Sequence, residues 1–340
     1  MASGEKSREF FVGVDVGGTS TRVAIATSPR GRMTKEVFRT PVRMSVESLS
    51  ERIADTAREL VESVDGTIAA AGIAAAGTVN IREGTIVESP NLPQFQDAPL
   101  GHLVESILGV PIVLENDANA AAVGEHSLGA GRGSHDMVYL TISTGIGGGF
   151  IASDRLHRGA QGGAGEFGHT VIVAGRTPPC RCGQAGCWEA LSSGTAIARE
   201  VRDRLLAGES SRILELVGGT PGRVTAREVF NAAGAGDTLA NEVLDQASYY
   251  LGVGLANLLN ILNPEVVVIG GGMARQWDRY IEPAIKVAKE RAFRLHGDTV
   301  DFQPALLGDD NGLRGALFLA REASTRNRAS ARKSGPPPAT

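Results

Sequence analysis

Apolar positions along the chain fall into short runs and spaced stripes. Phe10-Phe-Val-Gly-Val-Asp-Val16 is a mostly apolar run. It is followed by Gly17-Gly18-Thr19 and by a second run from Thr21 to Thr27. Two runs joined by a tight glycine turn predict a β-hairpin, with a third strand near residues 33–40. From Val46 to Val64, Leu49, Ile53, Ala57, Leu60, Val61 and Val64 recur at helical spacing. A buried-strand run spans Thr67–Ala75. A helix is then predicted over Leu100–Leu108, a short strand over Ile112–Leu114 and a helix over Asp117–Leu128. Strands followed by alternating β and α segments predict a mixed sheet flanked by helices.

The pattern then starts again. Met137–Ser143 reads as a strand, Thr144-Gly-Ile-Gly-Gly-Gly149 as a glycine turn, and Phe150–Ala152 as part of the next strand. Strand, glycine turn, strand thus occurs twice, a weak internal duplication. Residues 153–187 are loop-rich. Long helices follow, notably Thr238–Leu262. Pro264 closes that helix, and the strand Glu265–Ile269 leads into Gly270-Gly-Gly272. Residues 325–340 carry several arginines and three prolines and are expected to be disordered.

Composition narrows the class. A chain of 340 residues suggests two domains or one bilobal unit. With 42% hydrophobic and 21% charged residues it is globular. Lys+Arg of 34 against Asp+Glu of 38 gives a net charge of −4, which argues against nucleic acid as the main partner. Glycine, 44 of 340 residues, is nearly twice its usual ~7% without any collagen-like period, so it serves turns and close backbone approach. No apolar run approaches the ~20 residues of a membrane helix, and the charged N-terminus lacks a signal-peptide core. A soluble, cytoplasmic protein is expected. All three cysteines, Cys180, Cys182 and Cys187, lie within one short segment, which suggests metal rather than disulfides.

Several stretches carry chemistry. Asp15-Val-Gly-Gly-Thr19 places a carboxylate at a strand end beside bare backbone. Such a loop can close N–H groups around a phosphate, with Asp15 holding Mg²⁺ directly or through water; a plain hairpin turn would look the same. Thr144-Gly145-x-Gly147-Gly148-Gly149 repeats the arrangement, and two such hairpins point to a bound phosphate more firmly than one. Neither matches the Walker or the dinucleotide fingerprint. In Glu115-Asn-Asp-Ala-Asn119, Asn116 or Asp117 would suit a helix N-cap, and Asp117 would equally suit a general base. Cys180, Cys182 and Cys187 with His169 upstream form a common structural zinc set. A loop folded on zinc would bring Glu166 and Glu189 together, and carboxylates beside a neutral imidazole suit sugar hydroxyls.

Taken together these stretches, with Gly163-Ala-Gly-Glu166-x-Gly-His169 and Cys187-x-Glu189, resemble the ROK family of sugar kinases and regulators from about Val12 to about Leu319. The resemblance implies an actin-like, ribonuclease-H-like fold, with two mixed-sheet α/β lobes around a cleft. The lobes would be residues 1–115, with a returning helix near 313–323, and residues 116–312, with the zinc loop at 169–187. It implies a hexose kinase using ATP and Mg²⁺ that phosphorylates the 6-hydroxyl, of glucose foremost. Asp117 would be the base. Gly77, Asn91, Asn116, Glu166, His169 and Glu189 would line the sugar site. Asp15, Gly17, Gly18, Thr19, Thr144, Gly145, Gly194, Gly271 and Gly272 would serve the nucleotide, and zinc would be structural. A homodimer or homotetramer is implied. Ser20, where Lys is common, and Ala76, where Pro is common, depart from the family pattern and bear on donor and sugar preference. The rival readings are a kinase for N-acetylmannosamine or fructose, a polyphosphate-using glucokinase, and a sugar-responsive repressor. The last would need a helix-turn-helix module, for which the roughly nine residues before the first strand leave no room. A zinc-held sugar-binding module without turnover would not explain Asp117 and both phosphate loops.

Overall fold

The computed structural model describes residues 7–89, 91–175 and 178–333. The chain divides into two compact units. One comprises residues up to Arg132, Leu156–Ala164 and the chain from Leu306; the other comprises Gly133–Arg155 and Gly165–Ala305.

Unit one begins with β1 (Arg8–Val16), β2 (Ser20–Ala26) and β3 (Thr34–Arg39). It continues through α1 (Val46–Glu62), β4 (Gly66–Ala75) and the small hairpin β5 (Thr78–Asn80) and β6 (Thr85–Glu88). It then adds α2 (Leu100–Leu108), β7 (Ile112–Asn116) and α3 (Asp117–Leu128). Its sheet has the order β3-β2-β1-β4-β7. β1 and β2 are antiparallel, as are β2 and β3, while β1, β4 and β7 run parallel. The helical stripe read in the sequence is the buried face of α1, where Leu49, Ile53, Ala57 and Val61 pack on the sheet. Ser45 caps this helix, its side chain accepting from the Ser48 N–H.

Unit two contains β8 (Met137–Ile142), β9 (Ile146–Ala152) and β10 (Arg155–Leu156), the last reaching the boundary with unit one. Helices α4 (Trp188–Ser192), α5 (Gly194–Leu206), α6 (Ile213–Leu216), α7 (Ala226–Gly234) and α8 (Thr238–Leu262) follow, then β11 (Val266–Gly270), α9 (Glu282–Arg291), α10 (Arg294–Thr299) and β12 (Asp301–Pro304). The sheet order is β10-β9-β8-β11-β12. β8 and β9 are antiparallel and β8, β11 and β12 parallel. This is the topology of the first sheet again, so the faint duplication in the sequence is a duplication of architecture. Each unit has its own apolar core. No helix among the described residues is long and apolar enough to cross a membrane.

The last helix, α11 (Asn311–Lys333), returns to unit one and packs on β1, β4 and α3. The approach is at backbone distance. A Cβ on Gly72 of β4 would run into the Ala316 carbonyl, and one on Gly124 of α3 would lie 2.5 Å from the Asn311 carbonyl oxygen. This packing places α3 in unit one, not in the second lobe from residue 116 as expected; the segment Leu156–Ala164 belongs to unit one as well. The helix also differs from the expected disordered tail, because residues 325–333 continue it. That stretch holds neither proline nor glycine. Glu322 pairs with Arg326 at 3.2 Å and Glu9 with Arg328 at 2.6 Å. Residues 334–340 of the expected tail lie outside the described residues.

Overpacking a fitted interface costs roughly 1–3 kcal/mol. Gly72→Val should therefore lower the thermal unfolding midpoint in calorimetry, whereas Gly222→Ala, with open space around it, should leave it unchanged.

Candidate active site

In unit one, the register of the first hairpin pairs Asp15 on β1 with Arg22 on β2. Arg22 Nη2 donates to Asp15 Oδ2 at 2.6 Å, and its Nη1 donates to the Asp309 carbonyl. Burial pushes the Asp15 carboxyl above its ordinary range, and the Arg22 cation opposes that shift. Gly312, in the first turn of α11, lies alongside: a Cβ there would be 3.4 Å from Asp15 Oδ2. The helix N-terminus favours negative charge at this strand end, and the Asp310 carboxylate just before it opposes that. In the turn itself the Gly17 N–H donates to the Ser20 carbonyl at 3.1 Å, and Thr19 is exposed. Gly18 has a specific reason to be glycine. A Cβ would lie 2.5 Å from the Asn91 carbonyl oxygen, so the loop carrying Asn91 rests directly on the turn.

The β7–α3 junction distributes two duties between neighbours. Asn116 is the N-cap. Its Oδ1 accepts from the Ala118 N–H at 2.9 Å and the Asn119 N–H at 3.1 Å. Its Nδ2 donates to the Gly77 carbonyl at 3.0 Å, tying the cap to the loop that follows β4. Asp117 is the first helical residue, half-buried, and its Oδ1 accepts from the Ala118 N–H at 2.9 Å. The cap is complete without it. Gly77, Asn91, Asn116 and Asp117 therefore all belong to unit one, with the Asn91 loop on the glycine turn and Gly77 on Asn116. Next to them stands Glu115, fully buried. Its carboxylate accepts from Arg158 Nε at 2.6 Å and Asn119 Nδ2 at 3.0 Å.

In unit two, three backbone segments meet. The Gly194 N–H donates to the Ser143 carbonyl at 2.8 Å, and the Thr195 N–H to the Thr144 carbonyl at 3.3 Å. Gly271, at φ 86°, presses on the Ile142 backbone, and Gly272 faces the Ser143 hydroxyl. Thr144 and Gly194 thus meet at the start of α5, which Ser193 caps, while Gly145, Gly271 and Gly272 lie against the adjoining Ile142–Ser143 backbone or the Ser143 hydroxyl. Such a cluster of glycine backbone at a helix N-terminus suits an anion. Glu189 Oε2 accepts from the Ile146 N–H at 2.9 Å, which ties α4 to the second glycine turn.

The cysteine loop completes unit two. One ligand atom from each of His169, Cys180, Cys182 and Cys187 lies within 4.8 Å of every other. Cys182 Sγ is 3.7 Å from Cys187 Sγ, and Cys180 Sγ is 3.6 Å from His169 Nδ1. Bonds of ~2.3 Å directed to the corners of a tetrahedron give edges of ~3.8 Å, so the set fits a zinc-sized ion. Burial pushes the Cys187 thiol up to about 12 and raises Cys180, whereas the Gln184 backbone hydrogen bond lowers Cys182; a bound cation favours thiolates throughout. The other face of the ring is used too, with His169 Nε2 3.9 Å from Glu166 Oε2.

The ROK family model matches residues 11–323. This chain belongs to the ROK family. A glucokinase of Halalkalibacterium halodurans is 34% identical over 319 residues, spanning 93% of this chain and 96% of its own. Among solved structures, a ROK hexokinase from Thermus thermophilus is 35% identical at a TM-score of 0.76, covering 93% of this chain and 99% of its own. A ROK family glucokinase from Streptomyces griseus, in complex with glucose and AMPPNP, is 33% identical at a TM-score of 0.74, covering 92% and 99%. The two units are those of the actin-like ROK fold.

The ROK motifs do not disclose every residue of these clusters. Arg22 had a readable signal, an arginine placed opposite Asp15 across a tight hairpin. Glu115 had one as well, a carboxylate at the end of an apolar strand. Arg158 had none, because its partner lies 43 residues away. The division of labour at the junction is testable through stability. Losing an N-cap costs about 1 kcal/mol, so Asn116→Ala should lower the urea midpoint followed by circular dichroism. Asn116→Asp, which keeps the cap acceptor and loses only the bond to Gly77, should lose less.

Proposed function

We propose that this ROK protein is an ATP-dependent hexose kinase that phosphorylates the 6-hydroxyl of glucose. The observation that carries the reading is the β7–α3 junction. Asn116 meets the helix's capping need, and a carboxylate, Asp117, follows it in the first turn beside the Gly77 loop. The similarity to glucokinases over nearly the whole chain supports the same reading.

On this reading Asp117 accepts the proton of the 6-hydroxyl as the phosphoryl group is transferred. By the family resemblance, Gly77, Asn91, Asn116, Glu166, His169 and Glu189 serve the sugar. Asp15, Gly17, Gly18 and Thr19, with Thr144, Gly145, Gly194, Gly271 and Gly272, attend the nucleotide. Mg²⁺, when bound with ATP, neutralises phosphate charge. Because phosphoryl transfer passes through a loose transition state, the protein acts chiefly by placing the hydroxyl and supplying charge complementarity. His169 turns Nδ1 to the cysteines and Nε2 to Glu166. A zinc ion on Nδ1 would fix the ring's tautomer and orientation, leaving Nε2 for the sugar. Four protein ligands leave no open position for water, which makes the zinc structural. The working form on this reading is a cytoplasmic homodimer or homotetramer.

The decisive experiment is a coupled ADP-release assay with ATP over a panel that includes glucose, mannose, fructose and N-acetylmannosamine. Glucose 6-phosphate formation is then measured with polyphosphate as donor. Turnover confined to glucose with ATP is expected, and no ADP release with any hexose would overturn the assignment. Asp117→Asn should lower kcat by roughly 10²–10⁴, the usual worth of acid–base catalysis, with glucose binding largely kept. Turnover within a few-fold of the parent would remove Asp117 from the base role. Metal analysis should find about one zinc per chain, lost in Cys182→Ser, with impaired sugar binding as the loop before Glu189 loosens.

A further inference from the structure

The chain passes between its two units four times, at 132/133, 155/156, 164/165 and 305/306. All four passages lie close to a hydrogen bond made by, or relayed from, one of two fully buried carboxylates. Glu125, in the third turn of α3, accepts from the Ala130 N–H at 2.9 Å, the Leu306 N–H at 3.2 Å and the Leu307 N–H at 2.9 Å. These bonds secure the first and last passages on the unit-one side. Glu115, one residue before the Asn116 cap, accepts from Arg158 Nε at 2.6 Å, and the Arg158 carbonyl accepts from the Ala164 N–H at 3.1 Å. That pair secures the middle two.

Ala130, Leu306 and Leu307 lie outside helix and strand, so their N–H groups have no ladder to join. A buried carboxylate without such donors would be strongly unfavourable. The donors hold Glu125 as firmly as it holds them. Both acids flank Asp117 in sequence and sit on the same continuous piece of structure, the end of β7 and α3. We propose that Glu115 and Glu125 are positioning residues, fastening every passage between the units to the element that carries Asp117. Every residue of unit two is tied covalently to Asp117 through these passages. A loosened anchor therefore costs alignment of the transfer step more than it costs sugar binding. The kinetic part rests on the kinase reading; the anchoring itself does not.

Two measurements test this. In the unaltered full-length protein, native-state hydrogen exchange should show the amides of Ala130, Leu306 and Leu307 protected at least 100-fold relative to loop amides that have no acceptor. Exchange at loop rates would overturn the anchor. Glu125→Gln turns one oxygen into an amide that faces N–H donors, so exchange at these amides should rise at least tenfold. With glucose and ATP, kcat should fall about tenfold while the glucose dissociation constant stays near the parent's. An active parent whose Glu125→Gln variant keeps kcat within twofold overturns the proposal and leaves the kinase reading standing. A parent inactive on every hexose overturns the kinase reading, and the exchange measurement still decides the anchor. If Glu125→Gln fails to fold, Arg158→Lys at the second anchor takes its place. It keeps the charge but not the planar fork, and the same kcat loss with unchanged glucose binding is expected.

Discussion

The backbone-to-backbone approach of α11 is the constraint on which unit one depends. After β12 the chain must return to the first sheet, and at four glycines it does so without room for a Cβ. Gly13 and Gly72 on the strands, Gly124 on α3 and Gly315 on α11 each give up a Cβ where a backbone or Leu317 would meet it. Packing at that distance fixes the position of the helix N-terminus to within the tolerance of a single methyl group. It brings Gly312 against Asp15 and lets the preceding turn supply the Asp309 carbonyl to Arg22 and Asp310 to Lys35. The charge environment of the first glycine turn is thus set by the last helix.

Buried charge in unit one follows the same logic. Glu115 and Glu125 are fully removed from water, which an ionised carboxylate tolerates only with several donors. Glu115 obtains an arginine and two N–H groups; Glu125 obtains three backbone N–H groups. Neither arrangement survives small displacement, because a donor lost in the interior is not replaced by water. The region around Asp117 is therefore stiff by electrostatic necessity, whereas Asp117 itself is only half-buried.

Much of this was legible in the sequence, and the exceptions have physical causes. Periodicity located α1, α3 and α8, and both glycine hairpins, because apolar spacing and turn chemistry are local properties. The apolar run ends β7 at Leu114, yet the strand pairs on to Asn116 against Ala75. The polar Glu115 and Asn116 hide a strand whose partners are buried elsewhere. The hairpin β5–β6 has no legible pattern because strands of three and four residues leave almost no alternation to read. A boundary at 115/116 does not hold because membership of α3 is decided by α11, almost two hundred residues later. Residues 325–333 read as a tail from their arginines. A polar sequence without proline or glycine simply prolongs a helix already nucleated by packing. The cysteine set was legible because a metal's geometry is written in ligand type and spacing. Arg158 was not, since an ion pair to a distant strand end leaves no local trace.

The two glycine turns, alike in sequence and topology, have come to hold different things. In the first, the missing Cβ of Gly18 admits the backbone of Asn91, so one loop of unit one lies on another. In the second, the space beside Gly145 is filled by the Glu189 carboxylate, which binds the Ile146 N–H and thereby ties the turn to α4 and, two residues earlier, to Cys187. Both glycines are thus already committed to contacts within the protein, and openness to a phosphate alone does not account for either. Each turn is mechanically joined to the segment proposed to touch the sugar: the Asn91 loop in one unit, Glu189 and the cysteine loop in the other. A duplicated strand–turn–strand offers the same socket twice, and what fills the socket is what makes the two copies different.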